Sequence, residues 1–268
     1  FGRGPVAARL REPASLLVAG QTIEIDSLEV DVGGGRVSAS GTAAQTLDLS
    51  VTIARLPLSI ANLVRPDLDL GGTIDADATI GGTRDAPDAR FTLTGDAITA
   101  ATLRQAGQSA VTIRATGSTD AQRLTVDASV TSPEGLRASA NGAVPLGDGA
   151  LALDIDLAAF PLAALNRAMP GQQLGGTLAG SARLGGTLSE PQATFDLRGS
   201  GLAAAPLRTA GIAVLDAAAN GRFANNTVTL ASATVSGPQG LSLSARGAIP
   251  FSGAGMSVDL DGSAPLSL

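Results

Sequence analysis

The sequence contains no His, Cys, Trp, Tyr or Lys, and its 18 basic residues are all Arg. Each absence closes a class of chemistry. Without His or Cys there is no Ser–His–Asp or Cys–His nucleophile pair and no Cys/His metal site. Without Lys there is neither a Schiff base nor a phosphate-cradling P-loop lysine. The 24 Asp and Glu residues keep carboxylate chemistry formally open. We read the missing Lys as codon bias, and the missing Cys as fitting an oxidising compartment without proving one. Net charge is −6 and the Arg residues are scattered, so no basic stripe marks a nucleic-acid surface. The longest apolar runs, such as the one around Gly201 to Ala219, are broken by Arg208 and Asp216. None reaches the ~18 residues of a membrane-spanning helix. Six Phe are the only aromatics. Burial must come from Ala, Leu, Val and Ile, each removing less area from water than a ring. With 34 Gly among them, such side chains suit a thin apolar layer.

What is present is repetition. LGGTIDADATIGGTRDAPDARFTLTG (Leu70 to Gly95) returns as LGGTLAGSARLGGTLSEPQATFDLRG (Leu174 to Gly199), 104 positions later, with 13 of 26 residues identical. Upstream, LPLSIANLVRP (Leu56 to Pro66) matches FPLAALNRAMP (Phe160 to Pro170) at the same offset. Downstream, SPEGLRASANGAVPL (Ser132 to Leu146) matches GPQGLSLSARGAIPF (Gly237 to Phe251). We expect copies over 41–143 and 144–248, the end of an earlier copy over 1–40 and the start of another over 249–268. We take the chain as a segment of a longer repeat protein, which favours an extended modular architecture over one enzyme pocket.

Alternation is the second signal. Leu47, Leu49, Val51 and Ile53 are separated by polar residues, as are Leu151, Leu153, Ile155 and Leu157 and, further on, Leu124, Val126, Ala128 and Val130. Met256, Val258 and Leu260 alternate likewise. Period two means strands with one apolar and one wet face. Gly pairs such as Gly71–Gly72 and Gly175–Gly176 punctuate them, permitting positive φ or sharp curvature. The spacing of turn signals predicts about 20 strands, mostly antiparallel. In Thr22 to Val32 the parity slips, and Asp26–Ser27 reads as a bulge or turn. Leu58 to Arg65 and Leu162 to Met169, each bracketed by prolines, predict about two turns of helix.

The fold class is therefore all-β, an elongated, curled antiparallel sheet with a short helix per copy. No long amphipathic helix is present to cover the apolar face. The sheet must become a sandwich, close into a barrel, or curl into a groove covered by a hydrophobic guest, for which acyl chains are the natural candidate. The candidate lining is Leu47, Leu49, Val51, Ile53, Phe91, Leu93, Val111, Ile113, Leu124, Val126 and Val130 in the first part. It continues with Leu151, Leu153, Ile155, Leu157, Phe195, Leu197, Val228, Leu230, Leu241, Leu243, Val258 and Leu260.

The PLAALNRAMPGQQLGGTLAGSARLGGTLSEPQATFDLRG stretch (Pro161 to Gly199) and its weaker copy from Pro57 to Gly95 resemble the TamB family, within the AsmA-like proteins. The doubled LGGT…LGGT…P phrase carries most of the likeness, which extends in style over nearly the whole chain. The resemblance implies a grooved, taco-shaped β-sheet in the periplasm of a diderm bacterium, anchored in the inner membrane in the full-length protein. It implies phospholipid conduction to the outer membrane, support of outer-membrane protein and autotransporter assembly, and a TamA-like outer-membrane partner. From the residues themselves we expect no enzymatic activity, cofactor or metal. This segment lacks the family's N-terminal anchor and any recognisable TamA-contacting end.

Two readings compete. A period near 104 suits tandem immunoglobulin-like sandwiches of a surface adhesin or stalk, which proteolysis would divide near Gly142 and Gly247. Against it stand the scarcity of aromatics and the proline-bracketed helices. A calcium-binding β-solenoid would need GGxGxD repeats. The nearest carboxylate pair, Asp75 with Asp77, lacks that spacing and becomes Ala179 and Ser181 in the second copy. We read it, Asp154 with Asp156, and Asp259 with Asp261 as solvated strand residues and not as catalytic dyads. The free rims of a groove would invite further strands.

Overall fold

The computed structural model describes residues 8–251 and 255–263. The expected further copy at 249–268 therefore lies partly outside the described residues. Strands dominate, seventeen in all among the described residues, and the sheet is antiparallel and not closed into a barrel. The chain divides into two compact units.

Of the described residues, the first unit comprises 8–104, 109–130 and 145–147. It holds β1 (Ala8–Leu10), β2 (Leu16–Ala19), β3 (Thr22–Val32), β4 (Gly35–Ala43), β5 (Leu47–Pro57), β6 (Gly71–Gly82), β7 (Pro87–Thr99), β8 (Val111–Thr119) and all but the last residue of β9 (Arg123–Thr131). From β3 to β8 each strand pairs with the next. Strands β1 and β2 share the outer edge of β3. The parity slip resolves as a bulge: the register of β3 against β4 shifts between Ile25 and Leu28. Asp26 and Ser27 together face Ser40, one residue more on β3 than on β4, so Ile23, Ile25, Leu28, Val30 and Val32 all end on one face.

Of the described residues, the second unit comprises 105–108, 131–144, 148–251 and 255–263. It holds nearly all of β10 (Arg137–Pro145), then β11 (Ala152–Pro161), β12 (Gly175–Gly186), β13 (Pro191–Ala203), β14 (Leu215–Ala224), β15 (Thr227–Ser236), β16 (Ser242–Pro250) and β17 (Ser257–Ser263), again a meander.

The proline-bracketed segments are 3₁₀ helices, Leu58–Leu63 and Leu162–Arg167. Neither has a side-chain N-cap, and six residues are too few for a cooperative α-helix, so the tighter 3₁₀ turn suffices. An asparagine ties each one down. Asn62 Nδ2 donates to the Leu70 carbonyl at 2.8 Å while its Oδ1 accepts the Leu70 N–H at 2.8 Å. Asn166 does the same to Leu174, at 2.9 and 2.6 Å. Two further one-turn helices, α1 (Ala101–Gln105) and α2 (Ala205–Thr209), were not foreseen in the sequence. Arg104 of α1 pairs with Asp69, and Arg208 of α2 donates to the Gln173 carbonyl at 3.0 Å and to its Oε1 at 2.8 Å. All these elements recur at one spacing. The first 3₁₀ helix, β6, β7 and α1 start and end 104 positions before their counterparts in the second unit.

The second glycine of each expected pair does take positive φ, at Gly72 (90°) and Gly176 (93°). A Cβ on Gly72 would lie 2.5 Å from the Ala97 carbonyl oxygen. Ala97 is itself left-handed, with φ 50°, as is its counterpart Gly201 at 61°. Each pair makes a bulge where the register shifts, after Gly95 in β7 and after Gly199 in β13.

Candidate functional site

The register assembles the apolar side chains into rows running across the strands, because residues opposite one another in paired strands share a face. In the first unit one row is Val30, Val37, Ile53, Ala76, Leu93 and Ala115. A second is Leu28, Ala39, Val51, Ala78, Phe91 and Gly117, and a third runs Ile25, Gly41, Leu49, Ile80 and Ala89. In the second unit Ala140, Ile155, Ala182, Phe195, Gly221, Leu230, Gly247 and Val258 form one row. Ala138, Leu157, Gly180, Leu197, Ala219, Ala233, Ala245 and Leu260 form the next. Leu153, Leu184, Ala193, Phe223, Val228 and Ile249 form a third.

Most sequence-predicted lining residues thus fall into rows. Leu47 sits opposite Ala43 at the start of β5. Val111 and Ile113 stand opposite Ile98 and Gly95 at the other end of the face. Leu124, Val126 and Val130 alternate along β9 and are half-buried. Leu243 lies opposite Val235 and Gly262. Two lining residues are outside strands. Leu151 precedes β11 and donates its N–H to the Gly186 carbonyl at 2.8 Å. Leu241 ends the Pro238–Gly240 turn, where its carbonyl accepts the Gly237 N–H at 2.9 Å and its side chain is buried.

The face is not dry. Among the described residues five apolar side chains are buried, those of Ile98, Val111, Ala159, Ala164 and Leu241. The rest of the lining is half-buried, and Leu197, Leu243 and Leu260 are exposed at 40%, 46% and 77%. The chain leaves 16181 Å² accessible. Much apolar area stays in contact with water, at a cost of about 25 cal/mol per Å².

The walls are also thin. The Phe91 ring tip lies over Gly117, so that a Cβ there would come within 2.6 Å of it. Phe195 lies over Gly221 in the same way, at 2.9 Å. Leu197 covers Gly180, Ile98 covers Gly95 and Leu202 covers Gly199. These slots were not recognised in the sequence. Their signal was there: Phe and Gly recur 26 positions apart in both copies.

The opposite face is polar. Two hollows sit at equivalent places on it. One, of about 340 Å³, includes Ser50, Thr52, Asp77, Thr79, Arg90 and Thr92; the other, of about 550 Å³, includes Asp154, Asp156, Ser181, Arg183, Thr194 and Asp196. Arg183 Nε donates to Asp154 Oδ1 at 2.7 Å across the second. The first sequence-predicted carboxylate pair is engaged in local structure: Asp75 Oδ1 accepts the Arg55 N–H at 3.0 Å, supporting left-handed Arg55 at a bulge, and Asp77 Oδ1 accepts the Thr52 hydroxyl at 2.9 Å. Beyond the hollows, Asp120 accepts the backbone N–H groups of Gln122 and Arg123, both at 2.8 Å, which holds its carboxyl below the usual carboxylate range. Among the described residues no group of three His, Cys, Asp or Glu is placed to hold a metal ion, and no helix is long and apolar enough to cross a membrane. Gln108 was also missed: it is 2% exposed, and neither amide atom has a hydrogen-bond partner among the described residues.

No known protein family, curated protein or solved structure matches the chain.

Proposed function

We propose that this chain is a segment of a β-groove protein that shields acyl chains and conducts phospholipid between two membranes, across the periplasm of a diderm bacterium. The observation that carries the reading is the half-exposed apolar face, whose rows continue through strand after strand while few of their side chains are buried. An extended exposed apolar face is the mark of a surface that meets an apolar partner. An acyl chain is a flexible apolar cylinder, and rows of Ala, Leu, Val, Ile and Gly offer it contact without demanding a hydrogen bond. The wet face, rich in Asp, Thr and Ser, turns its charge to solvent. Support for outer-membrane assembly and contact with a TamA-like partner are proposals of the resemblance alone.

The tandem sandwich is the second reading. Two sandwiches would enclose two dry cores, and the five buried apolar side chains among the described residues weigh against it.

Native mass spectrometry of the purified chain tests the reading. Copurifying phospholipid is expected, and its loss in Leu153→Arg with the circular dichroism unchanged. A wild-type chain that carries no lipid from any expression host overturns the lipid role.

A further inference from the structure

The geometry points to a set of glycines that fix the depth of the acyl path by letting the largest side chains of the apolar face lie flat. This inference rests on the lipid-conducting reading and names the positions that set the depth of its path.

Phe91 and Phe195 are the mid-strand rings of the apolar rows, and each lies over a glycine of the neighbouring strand. A ring standing off the sheet would project into the path of an acyl chain. Laid across Gly117 or Gly221, it adds apolar area to the wall and little relief. The same device operates toward the helical ends of β7 and β13. There the bulges put Gly95 and Ile98, and Gly199 and Leu202, on one face, and the larger residue folds back over the glycine. The arrangement recurs at the same spacing in both units, so it is a property of the design of the face and not of one crowded spot.

The slots differ in what else a methyl group would meet. A Cβ at Gly117 would also press on the Thr125 carbonyl oxygen at 2.5 Å, so Gly117→Ala strains the backbone as well. At Gly199 the nearest atoms are all of the Leu202 side chain, the closest at 2.8 Å, and at Gly95 the side chains of Ile98 and Ile113. Neither glycine has positive φ. Gly199→Ala therefore lifts one leucine from the wall and leaves the strand as it is.

The test is titration of the purified full chain with dioleoylphosphatidylglycerol vesicles, reading bound lipid per protein after the vesicles are removed. Gly199→Ala is expected to lower lipid occupancy about threefold, and Gly199→Ala with Leu202→Ala to restore it, since the displaced side chain is gone. Phe195→Trp, which keeps every glycine but overfills the slot, is expected to lower occupancy as well, and it decides the matter should Gly199→Ala fail to fold. Folded variants that bind as the wild type does, or a double variant that stays impaired, overturn the inference while the lipid reading stands. A wild-type chain that takes up no lipid overturns the lipid reading instead, and this inference with it.

Discussion

Strands β5 to β8 of the first unit recur as β11 to β14 of the second, and the two sets have diverged more on the polar face than on the apolar one, where Ile113 and Thr119 become Ala217 and Phe223. On the apolar side, Leu49, Val51, Ala78, Phe91, Leu93, Gly95 and Gly117 of the first unit become Leu153, Ile155, Ala182, Phe195, Leu197, Gly199 and Gly221 of the second. Volume and polarity barely move at these seven positions. On the other side, Ser50, Thr52, Asp75, Asp77, Thr79, Arg90 and Thr92 become Asp154, Asp156, Ala179, Ser181, Arg183, Thr194 and Asp196. Charge changes at nearly every position. Exposed ion pairs contribute little, so the wet face tolerates exchange. The apolar face keeps large side chains beside glycines, Phe91 over Gly117 and Phe195 over Gly221. The proposed guest on one side and water on the other would produce such an asymmetry.

The comparison can be broken in several ways, the first with the largest effect. A charge on the apolar face, as in Leu197→Asp or Leu153→Arg, should lower phospholipid capture at least tenfold, about 1.4 kcal/mol. Charge reversal of Asp156 or Asp196 on the wet face should leave capture unchanged, and parallel lipid-binding titrations compare the two. Next, Asn62→Ala and Asn166→Ala each remove two hydrogen bonds to the backbone of a neighbouring leucine. Each should destabilise its unit by about 1–2 kcal/mol in urea unfolding, and by similar amounts if the two clamps are equivalent. Ala97 and Gly201 occupy the same left-handed bulge. Ala97→Gly should gain about 1 kcal/mol and Gly201→Ala lose about as much, read as opposite shifts of the thermal midpoint. Gln108→Leu should stabilise by about 1 kcal/mol, because a buried amide without partners is replaced by an apolar group of similar size. Smallest is a pH effect. The Asp120 carboxyl is held low by two backbone N–H groups, so its contribution is present above the ordinary carboxylate range and is lost as pH falls through its lowered value. Asp120→Asn keeps an acceptor but cannot titrate, and its urea midpoint should fall less on acidification than that of the wild type.

Much of the fold was legible in the residues. Alternation from Leu47 to Ile53 marked β5, and the slip at Asp26–Ser27 marked the bulge in β3. Other features left weaker traces. Left-handed Ala97 carries no glycine to announce its bulge. The one-turn helices α1 and α2 are shorter than any window in which helical periodicity can be counted. Leu241 looked like one more alternating strand residue with Leu243, yet the Gly237 contact places it in a turn. The site was legible as a list of apolar residues, whereas its relief was not. Relief depends on which residue of the next strand lies opposite, and register is set by turns and bulges that single-strand patterns do not contain.

The central claim is that one face of this sheet meets acyl chains and the other meets water. Photo-crosslinking amino acids placed in cells at adjacent positions of single strands, Leu153 against Asp154 in β11 and Phe195 against Asp196 in β13, test it most directly. Phospholipid adducts at Leu153 and Phe195 with none at Asp154 and Asp196 are the expected result. Adducts at all four positions, or at none, would contradict the claim.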